Sequence, residues 1–120
     1  MQIPKQDLVL LYDIYDNSLD IIKFTKRKLY YHYEKDRKTR KAVERSFEMI
    51  GIACNKVSKE TKEYLCHIPW GQIIALRNVI AHEYDELRNE KIWFISRNHV
   101  PELVKELKKI NDLKKYMNKE

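Results

Sequence analysis

The chain has 120 residues, with 24 Lys and Arg against 18 Asp and Glu for a net charge of +6, and contains only two glycines, three prolines and two cysteines. That length supports one domain, residues 1–120, with a single core that needs no metal or cross-link. So few glycines and prolines cannot turn a multistranded sheet, whereas Lys, Glu, Leu and Ile recur at helical spacing, so the expected class is all-α.

The opening "MQIPKQDLVLLYDIYDN" has no basic start before an unbroken apolar run, and no segment reaches the roughly 18 apolar residues of a membrane span. A soluble, cytoplasmic protein with no membrane partner is expected. A first helix runs from about Lys5 to Lys26, with Leu8, Leu11, Tyr12, Tyr15, Leu19 and Ile22 recurring at steps of three and four. Asp7, Asp13, Asp16 and Asp20 on this helix invite a metal reading. Exposed acidic positions on an amphipathic helix account for them more simply, with Asp16 and Asp20 within reach of Lys23 or Lys26.

Residues 27–37, "RKLYYHYEKDR", suggest a short helix or an irregular turn. Between Lys23 and Arg45 there are ten basic residues and three acids, a local balance of 10 − 3 = +7, so the rest of the chain is near neutral. Here "KFTKRKLYYHYEKDRKTRK" mixes charge with Phe24, Tyr30, Tyr31 and Tyr33. Phosphates favour the charges, and unstacked bases favour aromatic platforms, at about 1–3 kcal/mol per base. Arg37, Lys38, Arg40 and Lys41 are therefore candidate RNA-binding residues, against the alternative of a solvated basic face whose aromatics belong to the core.

A second long helix fits Lys38 to Lys59, with Ala42, Val43, Phe47, Ile50, Ala53, Cys54 and Val57 as its buried stripe. Gly51 inside it costs about 1 kcal/mol of helix stability relative to Ala, which a second helix crossing close to that point would explain. Cys54 and Cys66 lack the CxxC or paired-histidine spacing of a zinc site and are expected to be buried reduced thiols, with no metal and no cofactor. "YLCHIPWG" breaks the pattern, and Pro69 suits the first turn of a third helix over Trp70 to Tyr84. A short helix over Lys91 to Arg97 and a last one from Pro101 to Met117, with Leu103, Val104, Leu107, Ile110 and Leu113 on its apolar face, complete an up-and-down bundle of four or five helices.

"ALRNVIAHEYDEL", residues 75–87, places Arg77, Asn78, His82 and Tyr84 within eight positions of an otherwise apolar helix. On a wheel of about 100° per residue, Ile73, Leu76 and Ile80 define the core stripe. Asn78 and His82, four apart, fall on the opposite side, while Arg77 and Tyr84 sit at the stripe's edge. Ile74 and Ala81 lie between and are apolar, so this face is expected to meet another helix or a second subunit. A solvated histidine, an arginine paired with Glu83, Asp85 or Glu86, and a core tyrosine would account for the same residues without a site.

The combination nevertheless has a chemistry. Histidine can move a proton near neutrality, a guanidinium can neutralise phosphoryl oxygens, and an amide can orient the ring or a ribose hydroxyl. These are the parts of metal-independent RNA cleavage by attack of the 2′-OH on the adjacent phosphate, with Arg stabilising the developing charge. The sequence offers no carboxylate or thiol cluster suited to two-metal hydrolysis. One copy supplies one proton-transfer residue and scission needs two, so a two-fold homodimer is expected.

Arg77-Asn78-Val79-Ile80-Ala81-His82-Glu83-Tyr84 resembles the R-x-x-x-x-H-x-Y signature of HepT-like toxins, members of the HEPN superfamily partnered by minimal nucleotidyltransferases of the MntA type. "RKAVERSFEMIGIAC", "IPWGQIIALRNVIAHEY" and "IWFISRNHVPELVKEL" extend the similarity over roughly residues 5 to 113. The resemblance implies a HEPN-like helical bundle and a homodimer with the motif near its cleft. It also implies ribonuclease activity, on tRNA or mRNA, that arrests growth. Arg77 and His82 take the catalytic positions, Asn78 a supporting one, and Tyr84 the position at which the antitoxin adds AMP. An AMP group there would occupy the substrate phosphate's place and repel RNA. Glu83 departs from the small residue many relatives have and could pair with Arg77 or a nearby lysine. The competing function is a non-catalytic helical subunit that binds nucleotide or docks a nucleotidyltransferase.

Overall fold

Apolar spacing carries the chain into eight helices in the structure, a computed structural model that describes residues 1–82 and 85–119. They are α1 (Lys5–Thr25), α2 (Tyr30–Lys35), α3 (Arg37–Lys56), α4 (Lys59–Tyr64), α5 (Trp70–His82), α6 (Asp85–Asn98), α7 (Val100–Lys108) and α8 (Asn111–Asn118). No strand occurs among the described residues. The all-α expectation holds, with more pieces than the four or five helices anticipated.

The extra pieces have local causes. Ser58 accepts the Thr61 N–H and starts α4, a cap hidden within what the apolar spacing marks as the end of one long helix. The expected last helix is two: α7 ends at Lys108, and Ile110 takes an extended conformation that redirects the chain into α8. The short helix expected at Lys91 to Arg97 is α6, longer at its N-terminal end. Asp36 caps α3 by accepting from the Thr39 amide and hydroxyl at 3.1 and 2.6 Å, and these bonds hold its carboxyl below the usual range. Between α1 and α2, Arg27 sits at φ 62°, a left-handed conformation that glycine usually supplies after a helix end.

The buried stripe of α1 differs from the expected one. Asp7, Leu11, Ile14, Ser18, Ile21 and Thr25 are buried, while Leu8, Tyr12, Tyr15, Leu19 and Ile22 flank them half-buried. A stripe through three polar residues is tolerable because each is bonded. Ser18 and Thr25 donate to the Ile14 and Ile21 carbonyls at 2.6 and 2.9 Å. Asp7 accepts from Ser58 N–H (3.2 Å), Ser58 Oγ (2.6 Å) and Thr61 Oγ1 (2.5 Å), tying α1 to the start of α4.

Around this stripe α1 packs against α3 and α7, and α3 against α5. Leu11, Ile14, Ile21, Val43, Ile50, Ile92, Leu107 and Leu113 form the fully buried centre, each worth about 1.5–3 kcal/mol relative to exposure. The bundle measures 44 × 27 × 19 Å. Its least dimension is that of two helix layers about 10 Å apart, so α5 can be covered on one side and open on the other.

Of the two thiols, Cys54 is buried as expected, and burial pushes it up to about 12. Cys66 is exposed, contrary to expectation, because it lies in the irregular turn after α4, outside the stripe of any helix. Among the described residues no helix is long and apolar enough to cross a membrane.

Candidate active site

Helix α5 carries the polar constellation, and the bundle holds it at both ends. At its start the Trp70 indole donates to the Leu65 carbonyl at 3.1 Å. Near its end the Arg88 guanidinium of α6 donates to the Ile80 carbonyl at 3.2 Å and lies 3.8 Å from Glu44 of α3. Arg88 thus satisfies a carbonyl in the last turn of α5 and is itself balanced by a buried carboxylate. Nothing local in the sequence announces this link, because Glu44 and Arg88 stand on separate helices.

Between these anchors the faces of α5 divide as the wheel predicts. Leu76 and Ile80 are buried and Ile73 is half-buried, whereas Asn78 and His82 are exposed on the far side. Arg77 is exposed as well, with its aliphatic stem against Gly51 of α3. The close crossing anticipated at Gly51 is therefore made by a side chain of the motif. Arg77 and His82 are separated by about 7.5 Å along the axis and about 140° around it, from helix geometry. One copy of α5 therefore presents the two groups on different sides of the helix.

The surface around Asn78 and His82 is open and made of small side chains. Gly71, Ala75 and Ala81 are exposed, and a Cβ at Gly71 would meet nothing within 4 Å. Ile74, expected to meet another helix or a second subunit, is half-buried and packs against the core. On neighbouring α6, Leu87 and Phe94 are exposed at 55% and 56%. A groove of about 340 Å³ opens between the start of α5 and α7 and is lined by Ile68, Ile73, Leu76, Ile95 and Leu103. It lies on the core side of α5 and includes none of Arg77, Asn78 and His82.

The basic segment is only partly free to bind. Arg37, Lys38 and Lys41 are exposed, but Arg40 is half-buried and donates to the Glu34 carbonyl. Tyr33 is fully buried against Trp93 at 5.1 Å between ring centres, and Tyr30 lies tilted against the same indole at 6.3 Å and packs on the core, so these aromatics belong to the core. Burial, with Glu44 close by, pushes the Tyr33 hydroxyl well above its ordinary value. Tyr31 is 61% exposed, with the Lys35 ammonium 4.2 Å from its ring centre. Since Gly51 meets Arg77 and Glu44 lies near the end of α5, α3 and α5 run antiparallel. Arg37 to Lys41 therefore lie toward the end of the bundle where α5 reaches His82, with Lys41 about 15 Å along α3 from Gly51. Tyr84 and Glu83 lie outside the described residues.

Comparison with known proteins bears on this arrangement. The family model described as "Ribonuclease HepT-like" matches residues 14–110, well over half of the chain. The chain belongs to the HepT-like family. A protein of Methanocaldococcus jannaschii provisionally named an RNase is 39% identical to this HepT-like chain over 108 residues, 89% of each chain. A second from the same organism, named in the same way, is 33% identical over 104 residues, 86% of this chain and 95% of that one. A Thermococcus cleftensis protein provisionally named ribonuclease HepT is 27% identical over 90 residues, 75% of this chain and 82% of its own length. No solved structure matches significantly. The match takes in the second half of α1 and all of α2 to α7.

Proposed function

We propose that the protein is an endoribonuclease whose active cleft is built from α5 of two copies, and that it acts as the toxin of a HepT/MntA-type toxin–antitoxin pair. The observation that carries this reading is the outward placement of Asn78 and His82, with Arg77 at the edge of the same helix, in a HepT-like chain. The open small-residue face of α5 supports close approach of a second α5. A two-fold contact through this face would bring two His82 together, with the long Arg77 side chain of each copy reaching the cleft from the edge of its own α5.

In that cleft one His82 takes the proton of a ribose 2′-OH as its oxygen attacks the adjacent phosphorus. The bond to the 5′-oxygen breaks, and that oxygen receives a proton from the second His82. The products are a 2′,3′-cyclic phosphate and a 5′-hydroxyl. Arg77 stabilises the charge on the non-bridging oxygens, and Asn78, one turn before His82, orients the ring or a ribose hydroxyl. Proton transfer and charge stabilisation complete this route without a metal ion. Cleavage of tRNA or mRNA in excess EDTA, with cyclic phosphate ends, tests it. A purified, unmodified dimer that cuts no RNA leaves the non-catalytic partner-subunit reading in its place.

Exposed Arg37, Lys38 and Lys41, with Arg40 behind them, supply the phosphate contacts along the approach to the cleft. Reversing all four charges should weaken RNA binding and reduce the slope of log K against log salt by about 0.7 for each single-strand phosphate no longer neutralised. An unchanged slope removes this segment from the binding surface.

The nucleotidyltransferase antitoxin silences the site by adding AMP to Tyr84, two residues beyond His82. Incubation with the cognate antitoxin and ATP should add whole AMP masses to the intact protein and abolish cleavage together. The Tyr84→Phe protein should gain no mass and keep cutting, and an adduct on Tyr84→Phe would place the modification elsewhere.

A further inference from the structure

Gly51 lies buried in the middle of α3, in ordinary helical backbone with no positive φ. Alanine would be the better helix former there, so the backbone gives no reason for glycine. The reason lies across the helix crossing. A Cβ at position 51 would stand 2.7 Å from both Cγ and Cδ of Arg77 and 3.8 Å from its Nε. Carbon atoms in favourable contact are about 3.5–4.0 Å apart, so the Arg77 stem occupies the space that any side chain at 51 would need. The other glycine, Gly71, has no neighbour of this kind.

We propose that Gly51 is a positioning residue for Arg77: the notch it leaves in α3 seats the arginine stem and fixes where the guanidinium leaves the bundle. The proposal rests on the reading of Arg77 as the group that stabilises the reacting phosphate. An arginine has four side-chain torsions, and no carboxylate among residues 1–82 and 87–119 forms an ion pair with this one, the side chains of Glu83, Asp85 and Glu86 lying outside what the structure describes. Packing of its stem in the notch is what restricts those torsions while the charged head stays in water. A head held in place loses little freedom when the phosphate becomes more negative in the transition state, and a displacement of about 1 Å can cost on the order of 100-fold in rate.

The test is a cycle of Gly51→Ala, Arg77→Ala and the double variant, read by kcat, KM and Tm. Gly51→Ala should lower kcat by about 10- to 100-fold with KM nearly unchanged. The double variant should cleave no more slowly than Arg77→Ala alone. In the Arg77→Ala background, where the stem is gone, Gly51→Ala should raise Tm by about 4 °C, and in the wild type the gain should be smaller or reversed.

A folded Gly51→Ala protein with wild-type kcat, beside an inactive Arg77→Ala, overturns the proposal and leaves the catalytic reading standing. Full activity in Arg77→Ala overturns both. Equal Tm shifts in the two backgrounds overturn the notch itself. If Gly51→Ala alone fails to fold, a folded double variant supports the proposal, and misfolding of both overturns it.

Discussion

Cleavage by His82→Ala is expected to fall by about 10²- to 10⁴-fold, the range for loss of a positioned proton donor or acceptor, and cleavage by Arg77→Ala by about 10²- to 10³-fold. His82 is exposed, so its substitution opens no cavity and Tm should move by less than about 2 °C, whereas Arg77→Ala also vacates the notch at Gly51. The two-copy cleft adds a sharper expectation. A mixed dimer of His82→Ala and Arg77→Ala chains holds one His82 and one Arg77. If one His82 is the base and the other the acid, that dimer stays as inactive as either parent. Restored cleavage would show that one histidine suffices and would end the two-histidine scheme. Cleavage untouched by either substitution would end the enzyme reading, and a monomer that still cleaves, seen by sedimentation, would end the two-copy cleft.

The second large effect concerns stability. Asp7→Ala should destabilise the fold by about 3 kcal/mol, or about 12 °C in Tm, because it leaves the Ser58 amide and the Ser58 and Thr61 hydroxyls without their acceptor in a buried setting. Burial alone would raise the Asp7 carboxyl, but the bonds from Ser58 and Thr61, with Lys62 nearby, outweigh it and hold the group below its ordinary value of 3.8. A depressed pKa in the folded state means that the unfolded chain binds the proton first as pH falls. The stabilisation is therefore complete above about pH 5 and is lost as pH drops through 3.8 and below. Asp7→Asn should be less damaging at neutral pH and should remove this part of the acid sensitivity. A wild-type protein whose Tm falls no faster than that of Asp7→Asn between about pH 5 and pH 3 would remove Asp7 as its source.

The two experiments probe opposite parts of the molecule. Asp7 bonds at the start of α4 and holds the frame, while Arg77 and His82 stand on the open side of α5. An acid-weakened frame should lower activity only by unfolding, so the pH dependence of cleavage in the Asp7→Asn protein should follow that of the wild type above about pH 5.

The helical class, the placement of α1, α3 and α5 to within a few residues, and the outward direction of Asn78 and His82 were all determined by the sequence. Each depends on a period of about 3.6 residues along one element, and that period is local. The tertiary structure alone decided which stripe of α1 is buried. Asp7, Ser18 and Thr25 look like surface residues until their acceptors and donors are known, and those of Asp7 stand some fifty residues away in Ser58 and Thr61. The same holds for the basic segment, where Tyr33 could serve a base or the core until the fold set Trp93 beside it. Gly51 marked a close crossing in the sequence, but only the packed helices showed that the partner is the stem of Arg77. Burial of the Asp7 carboxylate, and the space Gly51 leaves, are settled by partners distant along the chain, and these come together only in the folded bundle.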